Sequence, residues 1–290
     1  MKRFTIALTA LLLVTLATAQ TPQNQKNAPA QTPQAQQPAT PAAPTGPKIP
    51  QAKTQEELKA YQAVAQITDP AQFEAGVAGF IAKYPDSELN SMLYQHAMML
   101  YQRANNADKV VEMGRKALIY NPNDPVTLAS LASILGERTR TTDLDKDERV
   151  ADTIKFANLA LQNIDNVTPP PNATPEQIAG AKAELRSVAY GAIGMANFTK
   201  QDYASAETNF QKSIDVFPQG PDPAIYLRMA LAQDKQGKFK ECAATASKAL
   251  QLAQPGTVIA QLAQQERDRA TKLANAPKPP APASPVPETK

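Results

Sequence analysis

The segment that most constrains the fold is the 34-residue stretch from Ser187 to Gly220, in which small, large and helix-stopping residues alternate at helical spacing. Gly194 allows a second helix to approach closely, and Phe210 supplies the bulk that fills the space between two helices. Pro218 ends the second helix, because proline cannot continue one. The segment therefore predicts two antiparallel helices joined by a short turn.

The same pattern returns 36 residues later, so the segment is one unit of a repeat. The corresponding pairs are Tyr190 with Tyr226, Tyr203 with Phe239, and Ala206 with Cys242, and Gly237 takes the position of the turn. Repeated helix pairs bury their apolar faces against one another, so a chain of them forms an extended stack.

Position by position, this unit resembles the tetratricopeptide repeat. The matching residues are Tyr190, Ile193, Gly194, Tyr203, Ala206, Phe210 and Pro218. Asn197 and Ser213 depart from the family pattern, which has an aromatic residue and alanine at those positions. The resemblance covers about residues 87–254 and is strongest in the last two helix pairs. It implies a non-catalytic protein whose repeats bind other proteins.

Apolar residues recur at helical spacing almost throughout residues 52–274, which we assign to one helical domain. We expect about five helix pairs, the first of them a degenerate repeat. The third pair contains a longer turn or a helix extension over residues 138–148, and a proline-rich loop over residues 168–176 follows it. One further helix after Gly256 should cap the stack with a polar outer face. The predicted fold is an all-α, tetratricopeptide-like α-solenoid of antiparallel helix pairs.

Residues 1–19 have the pattern of a secretory signal peptide. Two basic residues precede an apolar core from Phe4 to Leu16, and an Ala-Thr-Ala sequence ends at Ala19. We expect cleavage after Ala19 and a periplasmic or secreted protein, with no integral membrane span after cleavage. Retention of the segment as an N-terminal anchor is the alternative.

Two proline-rich segments, residues 20–51 and 275–290, flank the helical domain. They contain too little apolar surface to offset the entropy of ordering, so we expect both to be disordered. The formal net charge is +3, and removal of the two basic residues of the signal peptide would leave +1 (3 minus 2). This near-neutral charge does not favour a nucleic-acid partner.

The sequence offers no residue set for catalysis, for a metal ion or for a cofactor. The single cysteine, Cys242, stands at a position where the repeat requires a small buried residue, and we expect it to be unreactive. The single histidine, His96, has no Ser or Cys partner nearby in the sequence. The alternating carboxylates from Asp143 to Asp147 resemble a calcium loop, but Glu148 occupies the position that requires glycine. We therefore expect a solvated acidic loop there.

In the tetratricopeptide family, the first helix of each pair lines a concave groove. Carried onto this sequence, the groove positions expected to contact a partner are Met92, Gln95, Met99, Gln102, Ser133, Met195, Phe198, Leu227, Leu231 and Asp234. Only the last of these is charged. A groove rich in Met, Leu and Phe favours an apolar or extended peptide segment, because methionine adapts to varied shapes. The alternative is that these side chains pack against neighbouring repeats or the C-terminal helix.

These observations predict a scaffold or chaperone-like adaptor of the bacterial envelope, acting in an assembly complex and binding a protein or peptide partner. The alternative is a structural spacer of the envelope that acts through its proline-rich segments.

Overall fold

The computed structural model describes residues 50–169 and 172–276. These residues form eleven α-helices and one short 3₁₀ helix (Ile164–Asn166), and no strand. The helices are α1 (Gln55–Ala65), α2 (Pro70–Lys83), α3 (Asn90–Arg103), α4 (Ala107–Tyr120), α5 (Pro125–Arg138), α6 (Lys146–Gln162), α7 (Pro175–Thr199), α8 (Tyr203–Val216), α9 (Pro223–Lys235), α10 (Phe239–Leu252) and α11 (Val258–Ala274). Consecutive helices pack against each other, which confirms the predicted all-α fold of helix pairs.

The described residues divide into two compact units. The N-terminal unit comprises residues 50–122 and 165–178, and the C-terminal unit comprises residues 123–164 and 179–276. In the N-terminal unit, Phe73, Leu93 and Met113 are completely buried between α2, α3 and α4. In the C-terminal unit, Phe210 and the small residues of α8 and α10 form the centre of the packing.

Asp-Pro pairs start three of the helices, namely α2, α5 and α9. In each pair the aspartate side chain accepts a hydrogen bond from a backbone N–H of the first turn, and the proline occupies the first helical position. The hydrogen bond satisfies a backbone N–H that has no partner within the helix, and the fixed φ of proline suits the first helical position. The sequence Asp124-Pro125 predicts such a cap at the start of the third helix pair, and the structure confirms it.

The turn within three of the pairs has one residue in the left-handed conformation. These residues are Asn105, Gln201 and Gly237, with φ of 60°, 64° and 73°. Glycine adopts this conformation without steric cost and asparagine tolerates it, whereas glutamine does not favour it. The sequence Asn105-Asn106 predicts a turn, as Gly237 does, and both turns are confirmed. Gln201 is the unfavourable member of the set.

Replacement of Gln201 by glycine should raise the free energy of unfolding by about 0.5–1 kcal/mol, because it relieves the steric cost of the left-handed backbone. Chemical denaturation followed by circular dichroism measures this change. Gln265→Gly, at an exposed position inside α11, is the matched control and should lower the free energy of unfolding by about 1 kcal/mol. Destabilisation by both variants would contradict the interpretation of the turn.

Two expectations need correction. Helix α7 has 25 residues and begins at Pro175, inside the loop expected over residues 168–176. The reason is a capping box, in which the Gln177 N–H donates to the Thr174 hydroxyl and the Thr174 N–H donates to the Gln177 side chain.

The outer face of α11, expected to be polar, also carries Val258 and Leu262, which are 56% and 46% exposed.

The third pair has a longer turn, over residues 139–145, between α5 and α6. Within residues 50–169 and 172–276, no helix is both apolar enough and long enough to cross a membrane. The expected signal peptide and nearly all of the two proline-rich segments lie outside the described residues.

Candidate functional site

An open cavity of about 360 Å³ lies between α7, α9 and α11 in the C-terminal unit. Its lining is apolar apart from one arginine. The lining residues are Met195, Phe198, Ala224, Leu227, Arg228, Leu231 and Ile259. Four of the predicted groove residues, from α7 and α9, are therefore brought together around one cavity. We call it the α7/α9/α11 cavity.

The helical repeat explains why these residues converge. Ala224, Leu227 and Leu231 are three and four residues apart, so they lie along one face of α9. Leu227 is 7% exposed and packs against Ala249 and Ala263, which fixes the floor of the cavity.

The wall that α7 contributes is held by packing against α8. Met195 and Phe198 are half-buried and contact the cluster around Phe210. The rings of Phe198 and Tyr203 meet edge to face, with their centroids 5.2 Å apart. The cavity is therefore formed by side chains that the helix packing already positions.

Arg228, the charged residue of the lining, lies next to two carboxyl groups. The Arg228 Nη2 lies 3.4 Å from the Glu137 Oε1. Asp222, at the start of α9, accepts a hydrogen bond from the Ala224 N–H and interacts electrostatically with both Arg228 and Glu137. Burial raises the pKa of Asp222, although the bond from Ala224 and the charge of Arg228 oppose this rise.

The other predicted groove residues do not line this cavity. Met92, Gln95, Met99 and Gln102 lie along one face of α3 in the N-terminal unit, where the first three are half-buried and the last is exposed. Ser133 is half-buried on α5. Ile259 of α11 also lines the cavity, and Leu227 packs against Ala263 of α11, which agrees with the alternative that groove side chains pack against the C-terminal helix.

Asp234, the one charged residue of the predicted groove set, belongs to a different cluster. Its carboxylate forms an ion pair with Arg269 of α11. Arg269 also donates to Glu266 at 2.8 Å, and the Cys242 thiol donates to the same carboxylate at 3.1 Å. The side chains of Asp234 and Glu266 are only 13% and 10% exposed. This network joins α9, α10 and α11.

Asp234, Cys242 and Glu266 place three possible metal-ligand atoms within 4.8 Å of one another. However, the guanidinium of Arg269 already forms ion pairs with both carboxylates. Burial, the bond to Glu266 and the nearby carboxylates also raise the pKa of the Cys242 thiol far above its usual value. A thiol that donates to a carboxylate is not the thiolate that binds metals. We therefore assign the network a structural role.

Cys242 should not react with a thiol reagent in the native protein, because the thiol is buried and protonated. We expect no labelling by 5,5′-dithiobis(2-nitrobenzoate) at pH 8, and one thiol per chain after unfolding in guanidinium. Labelling at similar rates in both states would contradict this assignment.

His96 and the acidic loop show only local interactions. The His96 ring lies 4.6 Å from the Phe73 ring, and burial, together with the charge of Arg103, lowers the pKa of His96. In the loop, Asp143 accepts a hydrogen bond from the Arg140 N–H, and Asp145 pairs with Arg149.

Comparison with known proteins gives no match to a protein-family model and none to a curated protein. Among solved structures, PilW, a widely conserved type IV pilus biogenesis factor, is 17% identical, covers 76% of this chain and 91% of its own, and has a TM-score of 0.48. PilF of Pseudomonas aeruginosa gives the same identity and TM-score, with 76% and 90% coverage. A tetratricopeptide repeat protein from Parabacteroides merdae is 16% identical, with 74% and 91% coverage and a TM-score of 0.35. These values are too low to carry a functional assignment.

Proposed function

We propose that this protein is a non-catalytic scaffold or adaptor of the bacterial envelope that binds an apolar or extended peptide segment in the α7/α9/α11 cavity. The observation that carries the proposal is the cavity itself, which is open and apolar and is lined by side chains from three helices. Its volume of about 360 Å³ lies within the range of about 300–1,000 Å³ that is usual for ligand sites. The location in the envelope rests on the signal-peptide pattern of residues 1–19.

The lining favours a segment of a polypeptide over a polar metabolite. Apart from Arg228, which already faces Glu137, the lining side chains offer no polar group to fix the orientation of a small polar ligand. Met195 supplies a flexible contact and Phe198 a flat one, which together suit side chains of varied shape. The proposed role therefore requires apolar contacts and no reaction.

An affinity capture tests this proposal. The full chain, purified after signal cleavage, is incubated with envelope extract beside its Met195→Glu variant. The new carboxylate would be buried against an apolar partner without a cation, so we expect the partner to bind at least about tenfold more weakly, a loss of about 1.4 kcal/mol.

Leu144→Glu is the matched control, because Leu144 is fully exposed and does not line the cavity. It should capture the same proteins as the unmodified chain. Circular dichroism and thermal unfolding establish that both variants fold. If a folded Met195→Glu variant retains every partner, the cavity is not the binding site.

The alternative proposal is a structural spacer. Fifteen of the 31 residues from position 20 to position 50 are Pro or Gln, and such a composition favours extended chain. Deletion of residues 20–50 separates the two proposals. Loss of function in the cell with partner capture intact would favour the spacer.

A further inference from the structure

We propose that the chain's own C-terminal segment, residues 277–290, docks in the α7/α9/α11 cavity and places Pro285, Val286 and Pro287 against Phe198 and Leu231. This inference rests on the proposed function, because it assigns an occupant to the same site. Two features of the segment support it, namely its reach and its composition.

The reach of the segment matches the position of the cavity. Ile259, near the start of α11, lines the cavity, and the segment follows the end of the same helix at Ala274. The 15 residues between these two positions correspond to about 23 Å of helix. A proline-rich chain extends by about 3.1 Å per residue, so roughly eight residues span this distance. Counting from Ala276, the eighth to eleventh residues are Ser284, Pro285, Val286 and Pro287.

The composition of the segment suits an apolar cavity with an aromatic wall. Six of its fourteen residues are proline, and Val286 is its only large aliphatic residue. Proline-rich chain favours the polyproline II conformation, which loses little entropy on binding and docks in grooves lined by aromatic side chains. Phe198 supplies such a side chain. Val286 is therefore the one residue of the segment that can serve as an aliphatic anchor in the cavity.

Docking of an attached segment does not need high affinity. A short tether gives an effective concentration in the millimolar range, so even weak contacts keep the site occupied. An external partner must then displace residues 277–290. It follows that partners should resemble the segment, with prolines around an aliphatic residue.

Paramagnetic relaxation in the full chain tests the proposal. A nitroxide is attached at Ser284→Cys, and the methyl signals of the methionines are recorded with the label oxidised and then reduced. Met195→Leu identifies the signal of the methionine that lines the cavity. We expect loss of the Met195 signal in the oxidised state and its recovery on reduction. The chain without the new cysteine is the blank, because Cys242 is buried.

Two variants of the labelled chain test the register. Val286→Asp should restore the Met195 signal, because a carboxylate replaces the apolar anchor. Ala281→Asp, whose position is too close to α11 to reach the cavity, should leave the signal lost. A Met195 signal of equal intensity with the oxidised and reduced label would overturn the proposal. So would continued loss of the signal in Val286→Asp.

The failure of this inference is distinguishable from the failure of the proposed function. An unaffected Met195 signal together with loss of partner capture in Met195→Glu refutes only the docking of the segment. Loss of the Met195 signal together with normal partner capture by Met195→Glu refutes only the partner site.

Discussion

Phe210→Ala is expected to lower the free energy of unfolding by about 3–5 kcal/mol. The Phe210 side chain is completely buried on α8 and packs with Ala206, Ile225 and Met229. Truncation removes this apolar burial and leaves a cavity that the neighbouring small residues do not fill. Urea denaturation followed by circular dichroism measures the loss. Leu144→Ala, at a fully exposed position, should change the free energy by less than about 0.5 kcal/mol.

Substitution of Gly194, on the facing helix α7, tests the same packing. A Cβ at this position would lie 2.5 Å from the Phe210 ring, so any other residue forces the two helices apart. Gly194→Ala should cost about 1–3 kcal/mol. In combination with Phe210→Leu, the total loss should be smaller than the sum of the two single losses, because the smaller side chain leaves room for the new methyl group. Strictly additive losses would contradict this view of the interface.

The second large effect is expected for Arg269→Met, which removes the cation from the network of Asp234 and Glu266. Two nearly buried carboxylates would remain without a counterion, and breaking a buried pair costs about 3–5 kcal/mol. Because Arg269 itself is 45% exposed, solvent reduces this value and we expect about 1–3 kcal/mol at pH 7. Arg267→Met is the matched control on the same helix, since its partner Asp268 is 59% exposed. It should change the free energy of unfolding by less than about 1 kcal/mol.

The pH dependence of this difference identifies its cause. Burial acts to raise the pKa of Glu266, but the bonds from Arg269 and Cys242 outweigh burial and hold the pKa below its usual value. A lowered carboxyl pKa stabilises the folded state above the pKa of the unfolded chain, and this stabilisation is lost as the pH falls through the folded pKa. Without Arg269, burial raises the pKa and protonation relieves the unpaired charge. The deficit of Arg269→Met should therefore shrink from pH 7 toward pH 4, and a constant deficit would exclude this cause.

Local features of the fold could be predicted from the sequence because each depends on a few neighbouring residues. The Asp124-Pro125 cap and the turn at Gly237 are examples. Gly194 and Phe210 were likewise predicted to allow and to fill the approach of the two helices, and the Phe210 ring does lie directly against Gly194. The early start of α7 was missed although its signature, Thr174 followed by Gln177, is present in the sequence.

The candidate site was less accessible to sequence reasoning, because its geometry depends on contacts between distant residues. The groove pattern identified Met195, Phe198, Leu227 and Leu231, which share the cavity. Packing against the C-terminal helix was the alternative for these residues, but the family pattern covers only the repeats and could not identify Ile259 as the residue of α11 that completes the wall. Nor could it show that Asp234 pairs with Arg269, because no local pattern relates a residue of α9 to a residue two helices later.

Photo-crosslinking in cells is the most direct test of the claim that the α7/α9/α11 cavity binds a peptide segment of another protein. A photoreactive phenylalanine analogue replaces Phe198 in one strain and Leu144 in another, and crosslinked peptides are identified by mass spectrometry. The account predicts a defined crosslink from position 198 to an apolar, extended segment of an envelope protein, and none to that segment from position 144. Crosslinks to the same proteins from both positions, or none to another protein from position 198, would contradict it.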